Sequence, residues 1–410
     1  MRAGACADRV CAILVRHTLP RCRRGNAAEG IRVSKFRRNF CRTVKASSES
    51  PAHLRLVSYN VHAWRDSQHT DNWERVMALV DTLQPDVLCL NEVLHPFVPP
   101  SDGGVYWNEV KAKRGRSYIP KDPPPQEADT YLTRLASSAG FEYAVFAEAT
   151  REGFFGAFGF GNAILSRYPL LGVQTKRLEA EAGDINLGDQ VREYVEGRSA
   201  VSATVEVPLP RGIPGAEVGL LAVCCTHLDH KSEELREKQI EAVIQWLKET
   251  TRADVAHCIC GDLNAFQRAD HDDETWSRIC KMYVENFSAR PPPESSLVLD
   301  AISRAGFQDT FYTSKAFKDN MPTSIHPVGN FAKRKNDTLN SNLQKEVAAE
   351  YPAPTCWTHL PLMRIDHIML AQPTLQDTDQ IHQTLRVRQH VRVDDTASDH
   401  FPLLADFDFV

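Results

Sequence analysis

Six apolar, strand-like segments of this chain each carry an acidic, amide or imidazole side chain at or near one end. Buried strands appear in a sequence as short continuous apolar runs, and a polar residue that ends such a run lies at the rim of a sheet. Polar groups at matching strand ends can therefore converge on one rim. The six segments are Leu54–Tyr59 with Asn60, Asp86–Leu90 with Glu92, Gly219–Thr226 with His227, Val255–Cys260 with Asp262, Arg364–Leu370 with Asp366, and Phe401–Phe409 with Asp399 and His400.

The chemistry of these side chains is that of a hard-metal and acid/base site. Carboxylate and amide oxygens are the ligands that Mg²⁺ or Mn²⁺ prefers. Imidazoles have pKa values near ~6.5 and transfer protons or donate cationic hydrogen bonds. Taken alone, each residue is more simply a turn residue, a helix cap or a core histidine. The whole set in this order predicts the hydrolysis of a phosphoester, which needs charge neutralisation, a nucleophile and a stabilised leaving group.

Charge divides the chain into a basic leader and an acidic body. Residues 1–50 contain twelve Lys and Arg but only three acids, which leaves 36 basic and 50 acidic residues for the other 360, a formal charge of −14. No run approaches the ~20 apolar residues that a membrane-spanning helix needs, so no transmembrane segment is expected. An Arg-rich, acid-poor start is typical of an organellar transit peptide. We interpret residues 1–50 as such a peptide, disordered and addressed to the plastid, with the mitochondrion as the alternative. If the segment is only a basic tail, the protein is cytosolic.

The remainder, residues 51–410, is expected to form one catalytic domain. Strand-like segments dominate, helices are predicted near 71–83, 128–138 and 232–249, and no repeat or Gly-rich linker divides the chain. Asp71, with Glu74 three residues later, has the form of a capping box for the first helix. Segments near 95–127 and 310–356 have no period and are predicted to be loop insertions. These features favour an α+β fold of two packed, mostly antiparallel β-sheets flanked by outer helices.

The motifs in this order resemble the endonuclease/exonuclease/phosphatase superfamily, which has the DNase I-like fold, a four-layer sandwich. The resemblance covers about residues 54–409, and its GDxN and SDH motifs are specific. The segment Thr226–His230, with the sequence THLDH, resembles poorly assigned metal-dependent hydrolases of that superfamily. Asn91 stands where Gln is common, which we expect to matter little. The motifs that carry the resemblance are Ser58–Asn60, Leu90–Val93, Gly161–Arg167, Thr226–Leu228, Gly261–Asn264, Arg364–His367 and Ser398–His400.

The resemblance implies a role for each site residue. Glu92 resembles the principal metal ligand, with Asn60 and Asp399 as further ligands of Mg²⁺ or Mn²⁺. Asp262 resembles the group that orients or deprotonates the attacking water. The remaining implied roles are Asn264 holding the phosphate, Asp366 orienting His400, His400 and His227 facing the phosphate, and Arg198 contacting the phosphate. Asp229 and His230 either line the pocket or belong to the start of the helix that follows them.

The nature of the phosphoester is left open by the sequence. Nucleic-acid binding favours a basic surface, whereas this body is acidic, although acidic members of the fold cut DNA. Nucleic acid, a nucleotide or a phospholipid headgroup is the expected substrate class. A sphingomyelinase-like or inositol-phosphate phosphatase activity is the alternative within hydrolases, and a non-catalytic phosphate-binding protein is the alternative from another class. A monomer is expected.

The leader generates the first prediction. Because residues 1–50 have the charge pattern of a transit peptide, their fusion to a fluorescent protein should enter the plastid of a plant or algal cell. Fluorescence microscopy with plastid and mitochondrial markers measures the outcome, and replacement of Arg21, Arg23 and Arg24 by Glu should abolish import. A diffuse cytosolic signal from the unaltered fusion would contradict the interpretation.

Overall fold

The structure is a computed structural model that describes thirteen stretches of the chain. Nearly all of the insertion predicted near 95–127, and all but three residues of the predicted transit peptide, lie outside these stretches. The transit peptide therefore stays a prediction. The described residues are 11–13, 53–95, 130–150, 159–180, 182–186, 191–195, 197–210, 217–286, 290–315, 319, 324–325, 351–373 and 384–410.

Sixteen strands are present in the described residues, and most pairs of neighbouring strands are antiparallel. Only three of the pairs, including the two that lead into the site, run parallel. The strands are β1 Cys11–Ile13, β2 His53–Asn60, β3 Val87–His95, β4 Tyr143–Thr150, β5 Gly159–Ser166, β6 Leu170–Leu178, β7 Ala182–Asn186, β8 Val191–Val195, β9 Arg198–Pro208, β10 Val218–Thr226, β11 Ala256–Asp262, β12 Gln308–Asp309, β13 Ser324–Ile325, β14 Asp366–Ala371, β15 Leu385–Val393 and β16 Leu403–Phe409.

The strands form two large sheets and one hairpin. The first sheet has the order β1-β4-β5-β3-β2-β16-β15-β13, and the second has the order β12-β14-β11-β10-β9-β6. Strands β7 and β8 pair only with each other. The central strands β2, β3, β10 and β11 are buried almost throughout, as expected for strands covered on both faces.

Helices cover the outer faces of both sheets, so the molecule has four layers. None of the helices in the described stretches is long and apolar enough to cross a membrane. The predicted α+β sandwich, with two packed sheets and outer helices, is confirmed. The helices are α1 Trp73–Leu83, α2 Tyr131–Ala139, α3 Glu233–Thr250, α4 Asp273–Asn286, α5 Leu297–Arg304 and α6 Thr310–Thr313, with short 3-10 turns at His62–Trp64 and Arg268–Asp270.

Separate apolar clusters hold these layers together. One cluster lies between the sheets and includes Leu56, Val223 and Phe407. A second packs α1 and α2 on the first sheet, and a third packs α3 and α5 on the second sheet. Burial of apolar area at roughly 25 cal/mol per Å² is the main stabilising contribution, so the inter-sheet cluster holds the two sheets face to face.

Two local predictions differ from the structure. The N-cap of α1 is Asn72 rather than Asp71, and no capping box forms with Glu74. The side chain of Asp71 accepts from the N–H of Trp73 at 3.0 Å and from the hydroxyl of Tyr131 at 2.6 Å. The second contact is 60 residues away, so local spacing does not reveal it. Within the predicted insertion 310–356, residues 310–313 form α6 and residues 324–325 form β13, so the described part of that segment includes regular structure.

A buried polar network lies behind α6 and strand β14. Arg364 donates to Asp309 at 2.6 Å and also contacts Asp270 at 3.4 Å. The hydroxyl of Thr310 donates to the carbonyl of Ile368 at 2.9 Å, so it accepts from Nδ1 of His390 at 2.7 Å. Nδ1 of His390 therefore carries a proton. Burial, opposed by the charge of Asp309, lowers the pKa of His390 to about 3.

His390 gives the fold a predictable acid sensitivity. Its folded pKa lies below the unfolded value of ~6.5, so the unfolded chain binds a proton first and stability falls as the pH drops from about 6.5 towards 3. At pH 5 the loss from this residue is on the order of 2 kcal/mol. We expect His390→Gln to reduce the fall in melting temperature between pH 7.5 and 5 relative to the unaltered protein. Equal pH dependence of the two proteins in thermal scans would contradict this assignment.

Candidate active site

The predicted site residues meet at one rim of the two sheets. Strands β2, β10 and β11 end there, at Asn60, Thr226 and Asp262. Strands β9 and β14 begin at the same rim because they run antiparallel to β10 and β11. Asp262 is the register partner of Asp366 on β14, and His227 directly follows β10. The structure thus brings together polar residues that are far apart in the sequence.

One carboxylate oxygen, Asp262 Oδ2, lies at the centre of this group. Asn60 Nδ2 donates to this oxygen at 3.0 Å. The Nε2 atoms of His227 and His400 lie 3.5 and 3.7 Å from it. Burial, followed by the negative charge of Asp366, raises the pKa of Asp262 to about 7. Several polar groups therefore surround a carboxyl that ionises less readily than an ordinary aspartate.

His400 is held in place by Asp366, as the resemblance implies. Its Nδ1 lies 2.9 Å from Asp366 Oδ2, so Nδ1 carries a proton and Nε2 faces the site. The thiol of Cys356 lies 3.6 Å from the same Nε2. Burial alone would lower the pKa of His400, but the negative charges of Asp366 and Asp262 outweigh it and raise that pKa well above its ordinary value. His400 is therefore an imidazolium near neutral pH.

His227 has the opposite protonation state. The Asn264 carboxamide donates from Nδ2 to the carbonyl of Leu228 at 3.1 Å, which fixes its orientation. The same Nδ2 lies 3.1 Å from Nε2 of His227, so this nitrogen must accept. Burial, followed by the positive charge of Arg198, lowers the pKa of His227 well below its ordinary value. A neutral imidazole and an imidazolium thus lie on two sides of Asp262.

Asn60 bridges two carboxylates. Its Oδ1 accepts from the backbone N–H of His62 at 2.9 Å. Its Nδ2 donates to Glu92 Oε1 and to Asp262 Oδ2, both at 3.0 Å. In this arrangement the amide nitrogen, and not the oxygen, faces the two carboxylates. Asn60 therefore orients Glu92 and Asp262, and its predicted role as a direct metal ligand remains a prediction.

Glu92 lies inside β3 at a β-bulge instead of beyond the strand end that the sequence suggested. The pairing of β3 with β5 shifts register between Leu90 and Val93. Glu92 has a φ of 55°, a left-handed backbone that is uncommon for a residue with a side chain. A bulge redirects a side chain relative to the regular alternation of a strand, and here it accompanies the contact of Glu92 with Asn60.

Asp399 lies beside the turn that follows Asn60, which the sequence did not single out. Its Oδ1 is 3.5 Å from Nδ1 of His62, and its carbonyl accepts from the N–H of Thr358 at 2.9 Å. The guanidinium of Arg65 interacts electrostatically with both Glu92 and Asp399, while burial lowers its pKa. His62 and Arg65 therefore add two basic groups to this edge. No motif marks them, because only the turn that follows Asn60 brings them here.

The donor set fits a divalent cation. Two groups of described side chains place three potential ligand atoms within 4.8 Å of one another. The group that contains Glu92 brings together two carboxylates that a cation would neutralise. The group that contains His400 is explained by the hydrogen bond between His400 and Asp366. Among the described residues Asp399 belongs to neither group, so its role as a ligand stays a prediction. The groups are Glu92 with His227 and Asp262, and Asp262 with Asp366 and His400.

The sequence left open whether Asp229 and His230 line the pocket or belong to the start of the following helix. The structure places these two residues differently. Asp229 is buried, and its Oδ1 accepts from the N–H of Ser232, so this carboxylate shapes the entry to α3. His230 is exposed, and its Nδ1 lies 3.1 Å from Nη2 of Arg198. Arg198 begins β9 at 2% exposure and donates from Nε to the carbonyl of Leu228 at 3.0 Å. Its contact with a phosphate remains a prediction.

Asn91 connects the two sheets directly beneath the site. This fully buried residue donates from Nδ2 to Asn162 Oδ1 at 2.8 Å and to the carbonyl of Thr226 at 3.0 Å. Its Oδ1 accepts from the N–H of Asp262 at 2.9 Å. The expectation that Asn in place of Gln matters little at this position stays a prediction, although the residue itself is bonded to both sheets. Asn91 fixes the backbone of Asp262 while its chain neighbour Glu92 faces the same site.

Comparison with known proteins places this chain in a family. The sequence matches the profile of the Endonuclease/Exonuclease/phosphatase family over residues 57–400. Because that match covers most of the chain, the protein belongs to this family, whose members are hydrolases that act on phosphoester bonds. A search of the curated proteins found no match.

Solved structures of family members have low sequence identity to this chain. An endonuclease/exonuclease/phosphatase from Beutenbergia cavernae is 19% identical, with a TM-score of 0.49, over 87% of this chain and 72% of that one. One from Bacteroides vulgatus is 14% identical, with a TM-score of 0.48, over 88% of this chain and all of that one. The human Nocturnin catalytic domain, solved with bound sulfate, is 16% identical, with a TM-score of 0.45, over 88% of this chain and 94% of that one.

Gly261, the residue before Asp262, generates a stability prediction. Its φ is 132°, and a Cβ there would lie 2.1 Å from the carbonyl oxygen of Thr226 and 2.9 Å from Asn91 Oδ1. We expect Gly261→Ala to lower the free energy of unfolding by more than ~3 kcal/mol, because the backbone at Thr226 and the hydrogen-bonded side chain of Asn91 must both move. The matched control is Gly172→Ala, which has a φ of 58° but open space around it and should lose only about 1 kcal/mol. Urea denaturation measures both, and equal losses would contradict the proposed clash.

Proposed function

We propose that this protein is a divalent-metal-dependent hydrolase of phosphoester bonds with phosphodiesterase- or nuclease-like chemistry. The observation that carries the proposal is that Asn60, His227 and His400 surround Asp262 Oδ2. The same Asn60 also holds Glu92 beside this oxygen. Acid/base groups and potential metal ligands thus face one small volume. Membership of a family of phosphoester hydrolases supports the same chemistry.

Glu92 and Asp262 would hold the cation, either Mg²⁺ or Mn²⁺, with Asn60 and Asp399 as the further predicted ligands. When bound, the metal neutralises phosphoryl oxygens and stabilises the leaving oxygen. Only oxygen ligands suit Mg²⁺ well, whereas Mn²⁺ also accepts the imidazole nitrogen of His227. The negative charge that builds up around Asp262 is the physical reason for a cation at this position.

The chain's own residues supply proton transfer and orientation. Asp262 orients the attacking water or accepts its proton, since its Oδ2 is the atom that the other groups surround. His400, kept as an imidazolium by Asp366, donates from Nε2 to a phosphoryl oxygen and offsets charge in the transition state. Asn264 and the neutral His227 border the same volume and hold the phosphate, with Arg198 behind them. Burial of these groups strengthens each of these electrostatic contacts.

Removal of metal and of the Asp262 carboxylate tests this proposal. The full chain should hydrolyse bis-nitrophenyl phosphate with Mg²⁺ or Mn²⁺, and EDTA should abolish the reaction reversibly. Asp262→Asn keeps the shape of the side chain but removes its charge, so we expect kcat to fall by about 10²- to 10⁴-fold. Asp81→Asn, at an exposed position of α1, is the matched control and should retain full activity.

Activity that survives both EDTA and Asp262→Asn would overturn the metal mechanism. Phosphate binding without hydrolysis of any ester would favour the non-catalytic alternative. A panel of single-stranded DNA, RNA, abasic duplex, nucleotides, inositol phosphates and sphingomyelin then separates the candidate substrates. Selective turnover of sphingomyelin or of an inositol phosphate would favour those alternatives over a nuclease.

A further inference from the structure

Asn72 occupies a helix N-cap position but does not cap the helix. An Asn at this position normally accepts a hydrogen bond from the backbone of the first turn through its side-chain oxygen. In α1 no such bond forms. Its Oδ1 is buried and has no hydrogen-bond partner among the described residues. A buried acceptor without a partner is unfavourable, so another contact of this side chain must explain its conformation.

That contact is made by the amide nitrogen. Asn72 Nδ2 lies 3.2 Å from the carbonyl oxygen of Val61, 2.7 Å from that of Arg65 and 2.7 Å from that of Ala397. The reverse orientation would point a side-chain oxygen at three carbonyl oxygens, which excludes it. The carboxamide, 1% exposed, is therefore a buried clamp on three main-chain carbonyls.

The clamp joins two loops that lead to opposite sides of the site. The first is the turn Val61–Arg65, which follows Asn60 and whose His62 N–H donates to Asn60 Oδ1. The second contains Ala397 and continues directly into Asp399 and His400. Without a fixed spacing between these loops, Asp399 could shift relative to the Asn60 carboxamide that orients Glu92 and Asp262.

The backbone of the first loop needs such a clamp. His62, Ala63 and Trp64 have φ values of 47°, 52° and 62°, so three successive non-glycine residues are left-handed. Left-handed residues with side chains normally occur singly because each is unfavourable. Trp64 is fully buried and donates from its indole to the carbonyl of Leu94 at 3.0 Å, which holds the far end of the turn. Asn72 contacts the carbonyls of Val61 and Arg65, which are the first and last residues of this loop.

From this geometry we infer that Asn72 is a positioning residue for the metal site: it fixes Asp399 relative to Asn60 and thereby the ligand set for the cation. The inference rests on the proposed function. Arg75 makes a second, outer link, from Nη1 to the carbonyl of Thr396 at 3.2 Å and from Nη2 to Asp66 at 2.6 Å. That link is partly exposed, so water can replace it, whereas the Asn72 amide is 1% exposed and closed to water.

The test compares Asn72→Asp and Asn72→Ser with Ser296→Ala in the full chain. Asp has the shape of Asn but no amide hydrogens, and Ser retains one short donor. Ser296 is also an N-cap residue at 1% exposure, on α5, so its loss controls for general destabilisation. Mn²⁺ affinity is measured by electron paramagnetic resonance, and exchange of backbone amides in residues 61–65 and 396–399 is measured by mass spectrometry.

We expect Asn72→Asp to bind Mn²⁺ about 10- to 100-fold more weakly, as is typical when a residue supporting metal ligands is lost. Both segments should exchange faster, with Asn72→Ser intermediate and Ser296→Ala unchanged in both measurements. Wild-type Mn²⁺ affinity in Asn72→Asp, or faster exchange in one segment only, would overturn the inference. If the unaltered protein bound no Mn²⁺ and hydrolysed no ester, the proposed function would fail, while the exchange data would still decide whether the clamp exists.

Discussion

The site depends on one contact across the gap between the sheets, the hydrogen bond from the backbone N–H of Asp262 to the carboxamide of Asn91. Apolar packing between the sheets is non-directional and allows small sliding movements. A buried carboxamide requires partners at fixed distances and angles. Because Asn91 also bonds the carbonyl of Thr226, it ties three central strands at the level of the rim. Gly261 must lack a side chain for this contact to exist.

The electrostatics of the site follow from that close approach. It brings Glu92 and Asp262 together with Asp366 in a largely buried region, where like charges repel more strongly than in bulk water. The protein offsets part of this repulsion with the imidazolium of His400. The remaining negative charge favours a cation, and a bound cation in turn favours an anionic phosphoester. The same crowding that raises the pKa of Asp262 is therefore the physical basis of the proposed cation site.

The strand ends of the site could be predicted from sequence, whereas the contacts between them could not. Asn60, His227 and Asp262 follow apolar runs long enough to identify as buried strands, and a strand end is a local property. The bulge at Glu92 depends on its pairing with β5, and the use of Asp71 by Tyr131 depends on the docking of α2. The bulge and the contact each depend on residues that are far away in the sequence, so local periodicity does not show them.

Most of the left-handed residues with side chains in the described part of the chain lie at this one rim. Left-handed side-chain-bearing residues occur at Glu92, at Asn264 and in the turn His62–Trp64, and the unsatisfied oxygen of Asn72 lies behind that turn. Each left-handed residue costs on the order of 1 kcal/mol or more, and such costs persist only where the surrounding structure over-determines the conformation. The apolar clusters that hold the four layers provide that constraint. At Glu92 and Asn264 the strain accompanies side chains that lie around Asp262. In the turn His62–Trp64 it also buries Ala63 and Trp64 in the apolar cluster under α1 and α2, so one turn serves both the core and the site.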